Sequence, residues 1–300
     1  MPKQSLSEWL YAEEAGSSFQ ALSQDVWRRV RKFFTNPLGV AGLCVVVLLI
    51  LAAIAGPSIA PHSPIDQNLA KALMPPGGEH PLGTDELGRD IASRILYGCR
   101  ITLMIIFIVS VTVGPIGLTI GCIAGYLGGW VDLVLMRITE LFLSFPSLIL
   151  AMAFVAALGP NLQNAIIAIA LSNWPPVARL ARAEAMSLRN RDHISAVKLM
   201  GASKLRIVFR HIAPLCLPTV VVRMTLNMAS IILTAAGLGF LGLGAQPPTP
   251  EWGAMVSTGR RVMMDHWWVV TMPGLAILLV SISFNLIGDA LRDALDPRQE

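Results

Sequence analysis

The sequence predicts an all-α polytopic membrane protein with six transmembrane helices. Three observations carry this. Of the 300 residues, 54% are hydrophobic and only 14% are charged, whereas about 25% charged residues is usual for a soluble domain. The mean hydropathy is +0.62. The apolar residues gather into runs near the roughly 20 residues that a helix needs to cross the hydrocarbon.

Taken in order, residues 1–37 form a polar segment, expected in the cytoplasm. Phe19, Leu22, Val26, Val30 and Phe33 recur at helical spacing, and Arg28, Arg29, Arg31 and Lys32 crowd the membrane-proximal end. This predicts an amphipathic helix in the membrane interface. Asn36-Pro37 then marks a break. The expected spans are 38–60, 100–127, 135–159, 163–183, 213–241 and 266–288, the fourth interrupted by Trp174-Pro175-Pro176. The first run starts late and has no small-residue cleavage site at the usual place, so it reads as a retained anchor. Residues 61–99 form a periplasmic loop, 100–290 the core, and 291–300 a cytoplasmic tail.

Charge sets the expected orientation. The N-terminal segment carries five Lys/Arg and residues 179–210 carry eight, while loops 61–99 and 242–265 carry five together. Six spans then place both termini and residues 186–212 in the cytoplasm. The net charge of +4 is concentrated in these loops and gives no reason to expect nucleic acid. Cys44, Cys99, Cys122 and Cys216 have neither metal spacing nor a disulfide pattern and read as small apolar filler.

Gly117, Gly121 and Gly125 lie four apart and predict close approach of a neighbouring helix. Gly237-Leu-Gly239-Phe-Leu-Gly242 matches GxGxxG but ends an apolar run without a βαβ context, so it is rejected as a dinucleotide site. GxxxxGK[ST] does not occur, and no cofactor is expected on this chain. Arg223 is the one strong charge deep in a span. It is a candidate for the translocation path, where guanidinium suits a carboxylate, or a structural or snorkelling cation.

Residues 195–214, SAVKLMGASKLRIVFRHIAP, are too charged to cross a bilayer. Ile194, Val197 and Met200 share a helix face. Gly201 suits a positive-φ helix end and Ser203 an N-cap. Leu205, Val208, Phe209 and Ile212 follow i, i+3, i+4, i+7, and Pro214 is expected to close the element. The prediction is helix–glycine turn–helix with an apolar and a basic face, suited to lipid headgroups or to a groove on a cytoplasmic partner.

This stretch resembles the EAA motif of ABC importer permeases, in which Glu-Ala-Ala, three residues, Gly, nine residues and Ile-x-Leu-Pro follow one another. Ala196, Gly201 and Pro214 match in register, while Ser195, Val197, His211 and Ala213 replace Glu, Ala, Ile and Leu. Residues 82–103, 125–150, 238–256 and 284–298 resemble segments of the C-type permeases of dipeptide, oligopeptide and nickel importers. The resemblance implies a type I importer permease fold. It implies a second, B-type permease, two cytoplasmic ATPases that use the ATP, a periplasmic or lipid-anchored solute-binding protein, and surrounding lipid. Ser195, Ala196, Val197, Gly201, Ala202, Ser203, Lys204, Arg206 and Pro214 would couple to an ATPase. The cargo would be di- or oligopeptides, or alternatively glutathione, D,D-dipeptides, opines or nickel chelates. Loops 61–99 and 242–265 would face the binding protein. In them Asp85, Glu86, Arg89 and Asp90 are expected to pair internally. Gln246, Pro247, Pro248, Pro250, Glu251 and Trp252 should form a rigid turn, and Trp267 and Trp268 should anchor in the interface. A membrane-embedded hydrolase would need a buried nucleophile and base; GxSxG does not occur and no histidine lies inside a span.

Overall fold

Capping chemistry sets most of the helix boundaries. The computed structural model describes residues 17–295, without the side chains of Ser18, Phe19 and Leu22; residues 1–16 and 296–300 lie outside it, and with them part of the N-terminal segment and tail. Helix α1 (Ser18–Thr35) starts at Ser17, whose hydroxyl accepts the Gln20 N–H. Val26, Val30 and Phe34 are exposed along one face. Helix α2 (Pro37–Ile59) starts at Asn36, whose side chain accepts the N–H groups of Leu38 and Gly39. Pro37 is the first helical residue, where a missing N–H costs nothing.

Helix α3 (Ile91–Leu127) starts earlier than expected. Residues 91–99, read from the sequence as loop, are helical because Asp90 caps them by accepting the Ser93 N–H at 2.7 Å. The single span expected over 135–159 is two helices, α4 (Gly129–Leu143) and α5 (Ser147–Leu158), bent by 89°. Pro146 stands at the N-cap of α5 in extended backbone. It cannot continue the preceding turn and it pushes Phe145 out of helical geometry. Helix α6 (Leu162–Leu188) runs straight through Trp174-Pro175-Pro176, where an interruption was expected, and extends past residue 183.

Helix α7 (Asp192–Leu199) is short. Helix α8 (Lys204–Phe240) is continuous, so Pro214 does not close the element as the sequence suggested. Instead, Val208–Ile212 adopt one π turn, in which the Ala213 N–H reaches the Val208 carbonyl. The wider turn moves the carbonyl that the Pro214 ring would strike and that its absent N–H would leave unpaired. Helix α9 (Trp252–Gly259) lies in the following loop, and α10 (Trp268–Leu295) reaches into the expected tail.

Six spans were expected. Four helices, α2, α3, α8 and α10, are long and apolar enough to cross a membrane, or five if bent α4–α5 counts as one. Helix α6 has 27 residues, but Arg179, Arg182 and Glu184 occupy its second half. It sits inside the bundle against α3. A Cβ on Gly121 would lie 2.3 Å from the Ala178 carbonyl oxygen, and Gly117 and Gly125 meet Val177 and Arg182 as closely. The glycine face predicted for α3 is therefore the seam with α6. The core around this seam includes Val109, Val113, Ile169 and Val177 and continues to Ile194, Ile207 and Ile212. A second core joins α2, α8, α9 and α10 through Leu49, Ile232, Trp252 and Phe284. Outside both, Leu48, Ile54 and Phe107 are exposed, as lipid-facing or subunit-facing positions would be.

The two outer loops close on each other. Asp85 accepts Arg89 Nε at 2.7 Å and the N–H groups of Leu87 and Arg89, and stands 3.7 Å from Arg94 Nε. Of the four residues expected to pair internally, Asp85 and Arg89 do so and hold the head of α3, whereas Asp90 pairs with His80 and Ser93 and a buried Glu86 oxygen finds no partner. Gln246 bonds back to the Gly242 and Gly244 carbonyls, and the Pro247–Pro248 bond is cis. Trp252 donates to the Ile95 carbonyl at 3.2 Å. Trp267 is exposed as expected of an anchor, but Trp268 is buried and its Nε1 donates to the Thr84 carbonyl at 3.4 Å. An adjacent pair on a helix start cannot point the same way.

Candidate functional site: the helix–glycine–helix element

The element predicted around Gly201 is present. Helix α7 ends at Met200, whose N–H reaches the Ala196 carbonyl; the Gly201 N–H reaches Lys198 O and the Ala202 N–H reaches Val197 O. Gly201 has φ +80°, a conformation that costs glycine little and other residues more. Ser203 caps α8 by accepting the Arg206 N–H at 3.4 Å. The turn is open to solvent, and a Cβ on Gly201 would meet nothing within 4 Å.

The apolar face differs from the one the spacing predicted. Ile207, Val208 and Ile212 are buried, whereas Leu205 and Phe209 are 58% and 51% exposed. Ile194 is buried, Val197 half-buried, and Met200 exposed, so only part of the first predicted face turns inward. The π turn explains the second half. One extra residue in a turn rotates everything before it by about 100° relative to a regular α-helix. It carries Ile207 inward in place of Leu205 and Phe209. Leu199, Met200, Leu205 and Phe209 thereby form an exposed apolar rim around the glycine turn.

Of the predicted coupling residues, Ser195, Ala196, Gly201, Ser203, Lys204, Arg206 and Pro214 are exposed, while Val197 and Ala202 are half-buried. Lys198, Lys204, Arg206 and Arg210 form no ion pair among the described residues. Two hollows flank the element. One, of about 540 Å³, is lined by Ser195, Lys198 and Lys204 together with Tyr126, Leu127 and Arg189. The other, of about 360 Å³, runs beside Gly201, Arg206, Arg210 and His211. Tyr126, Leu127 and Arg189 were not found from the sequence; their signal is the end of the glycine seam at Gly125, whose carbonyl Arg189 Nη1 approaches at 3.5 Å. Also missed was the fork in which Arg182 donates Nε and Nη2 to Asp132, the latter at 2.6 Å, tying α6 to α4. Fifty residues separate these partners, so no local pattern marks them.

Arg223 stands apart from the element. It is exposed on α8 and lines a groove of about 460 Å³ with Arg292, Pro218, Thr219, Val222 and Leu226. No described carboxylate pairs with it. Gly237 and Gly239 lie within α8, and Gly239 abuts the Glu251 carboxylate, so this GxGxxG serves packing.

Residues 117–300, which contain the glycine seam, the turn and the last two long helices, match the family described as binding-protein-dependent transport system inner membrane component. The chain belongs to this family of inner-membrane transport components. Residues 22–76 of the permease also match the N-terminal transmembrane domain of oligopeptide transport permease C. It is similar to the dipeptide transport system permease protein DppC of Alkalihalophilus pseudofirmus, at 46% identity covering 91% of this chain and 90% of that one. It is 45% identical to the probable D,D-dipeptide transport system permease protein DdpC of Escherichia coli, over 88% of both chains. The di/tripeptide permease DppC of Pseudomonas aeruginosa is 44% identical, over 89% and 90%. An inward-facing structure of the MetNI methionine ABC transporter shares the fold, with a TM-score of 0.56, 20% identity, and coverage of 68% of this permease and 97% of that chain. The family and the long apolar helices make it a multi-pass inner-membrane protein.

Proposed function

We propose that this permease forms, with a second permease, the path of a peptide importer driven by two partner ATPases and fed by a solute-binding protein. The observation that carries this is the similarity, over about nine-tenths of both chains, to permeases named for dipeptides and di/tripeptides. Six crossings are proposed: α2, α3, the bent α4–α5 pair, α6, α8 and α10. Helix α6 crosses inside the bundle, where Arg182 pairs with Asp132 of α4. Both termini and the Gly201 turn face the cytoplasm.

The chain's own part is mechanical. The apolar rim of Leu199, Met200, Leu205 and Phe209 seats in a groove of an ATPase, and the unpaired Lys198, Lys204 and Arg206 orient it. Val208 and Ile212 bind the element into the core that α6 and α8 share, so a push on the turn moves both helices together. ATP is bound by the partners; this chain holds no cofactor. Arg223, beside Arg292 in an apolar groove, draws the carboxylate end of the cargo. The D,D-dipeptide relative supports a second reading in the same class, an unusual peptide as cargo.

The test is affinity purification of the tagged chain from native membranes in mild detergent, alongside a Gly201→Trp variant. The open space at position 201 admits the indole without a clash inside this chain, at the cost of a strained positive φ. Recovery of a second permease and two ATPases, with the ATPases lost from Gly201→Trp, is expected. Wild-type chain emerging alone under conditions that keep a known transporter assembled overturns the proposal. In cells, Arg223→Gln should cut peptide uptake several-fold with assembly intact; unchanged uptake removes Arg223 from the path.

A further inference from the structure

We infer that His62 and His80 form a binding site for a late first-row divalent cation, Zn²⁺ foremost, at the junction of the segments that leave α2 and enter α3. The site does not depend on the transport reading. Each of His62, His80 and Asp90 offers a ligand-type atom within 4.8 Å of those of the other two. The His62 and His80 rings are 4.5 Å apart between centroids and tilted by 32°.

The hydrogen bonds decide which atoms are free. Asp90 Oδ2 accepts the Ser93 N–H and hydroxyl, both at 2.7 Å. Its Oδ1 lies 2.9 Å from His80 Nδ1. A carboxylate engaged in this way is an acceptor, so His80 Nδ1 carries the proton and Nε2 the lone pair. His80 is 4% exposed, and its Nε2 is buried with no hydrogen-bond partner. His62 Nδ1 is likewise buried and unpartnered. The His62 backbone is fixed from the same hub, its N–H donating to Ser93 Oγ at 3.1 Å.

Two buried imidazole nitrogens without donors carry a desolvation cost that a bound cation removes. A carboxylate holding the far nitrogen of a histidine is the usual support of a metal-binding imidazole: it fixes the tautomer and raises the basicity of the other nitrogen. Imidazole nitrogen suits Zn²⁺, Cu²⁺ and Ni²⁺ far better than Mg²⁺ or Ca²⁺. With metal–nitrogen bonds of about 2.0–2.1 Å, two ligands of one ion stand at most about 4.2 Å apart, so the two rings close on the ion as it binds. The second charge of the ion is balanced locally. Asp90 is within reach. Water fills the remaining positions.

The test uses the full-length protein in detergent, stripped with a chelator, with His193 and His211 replaced by Gln to silence the loop histidines. Zn²⁺ is titrated in competition with a chromophoric chelator, and Cu²⁺ is added separately for electron paramagnetic resonance. One Zn²⁺ per chain is expected, with two imidazole nitrogens in the Cu²⁺ spectrum. His62→Phe should weaken Zn²⁺ at least tenfold and leave one nitrogen. Asp90→Asn, which keeps an oxygen for the helix cap, should weaken it 10–100-fold, the usual effect of removing an orienting partner. His62→Gln stands in if the Phe variant does not fold. Substoichiometric Zn²⁺ uptake, or uptake and spectrum unchanged in both His62 variants, overturns the site.

Discussion

Gly121 shows what a single residue decides. Alanine there gains helix propensity of about 1 kcal/mol. Its Cβ, however, would lie 2.3 Å from the Ala178 carbonyl oxygen and 2.7 Å from the Arg182 nitrogen, both backbone atoms that cannot swing aside. Overpacking of this kind costs about 1–3 kcal/mol or more, so the clash outweighs the gain. Gly121→Ala should lower the thermal midpoint of the purified protein by several degrees, while Gly274→Ala, which meets nothing within 4 Å in α10, should leave it equal or raise it. Equal midpoints for the two variants would remove the seam from the account of stability. Glu251 shows a different kind of decision. It caps α9 through both carboxylate oxygens, each 2.8 Å from an N–H. Burial pushes its carboxyl above the usual glutamate range, against the lowering effect of those two bonds. The folded state then holds the proton more tightly than the unfolded one, so this group's contribution to stability is lost as pH rises from the unfolded value, about 4.3, through the raised folded one. The wild-type midpoint minus that of Glu251→Gln, measured from pH 4 to 8, should fall with rising pH and then level off; a difference that is flat or rises reverses the sign.

Prolines test how far the elements are legible in the sequence. Pro37 and Pro146 stand at helix starts, whereas Pro115, Pro175, Pro176, Pro214, Pro218 and Pro273 lie inside continuous helices. Pro115, Pro218 and Pro273 fall inside spans read as such, Pro146 splits a span read as one, and a rule learned from soluble helices misreads Pro175, Pro176 and Pro214, because neighbouring helices and local side chains stabilise a proline-bearing helix in a membrane bundle. Before Pro175, Ser172 and Asn173 fold back onto the Ala168 and Ile169 carbonyls at 2.7 and 2.8 Å. The Gly201 turn was legible because it is local: a glycine at positive φ and a serine cap lie within three residues. The face of the following helix was not, since spacing assumes 3.6 residues per turn and the π turn changes the count. This assigns Pro214 a specific role. Val208 and Ile212 turn inward in both helix phases, so the phases differ in Leu205 and Phe209 against Ile207, and the hydrogen bond absent at Pro214 favours the second. Single cysteines at 207 and 209 should react slowly and quickly with a thiol reagent in the wild-type background. In Pro214→Ala the N–H returns, the helix regularises, and the contrast should shrink or invert. An unchanged ratio would mean that packing and not proline holds the π turn.

At the scale of the whole molecule, hydropathy found the bundle but not the work of its interior. Helices α2, α3, α8 and α10 face outward on one side and announce themselves by apolar content. Helix α6 packs along α3 and carries two arginines and a glutamate in its second half, so it is recognised by its seam, not by its hydropathy. The proposed orientation rests on charge. The exposed cations from Arg191 to Arg210 lie beside the Gly201 turn, while the loop before α3 buries Arg89 and Arg94 against Asp85. Cations that are paired and buried no longer count against translocation as free ones do, so the asymmetry between the two ends is larger than the sequence totals of eight and five suggest. Labelling with a membrane-impermeant thiol reagent tests this in one experiment. Cys44, the one exposed native cysteine, is replaced by Ala; Cys99, Cys122 and Cys216 are buried and stay. Asp66→Cys, exposed in the loop after α2, should label in intact spheroplasts. Ser195→Cys, exposed on α7, should label only after the membrane is permeabilised. Labelling of position 195 from outside would invert the orientation and take the Gly201 turn away from any cytoplasmic ATPase. Labelling of both positions from outside would mean an even number of crossings between them, which removes α6 or the bent α4–α5 pair from the spans.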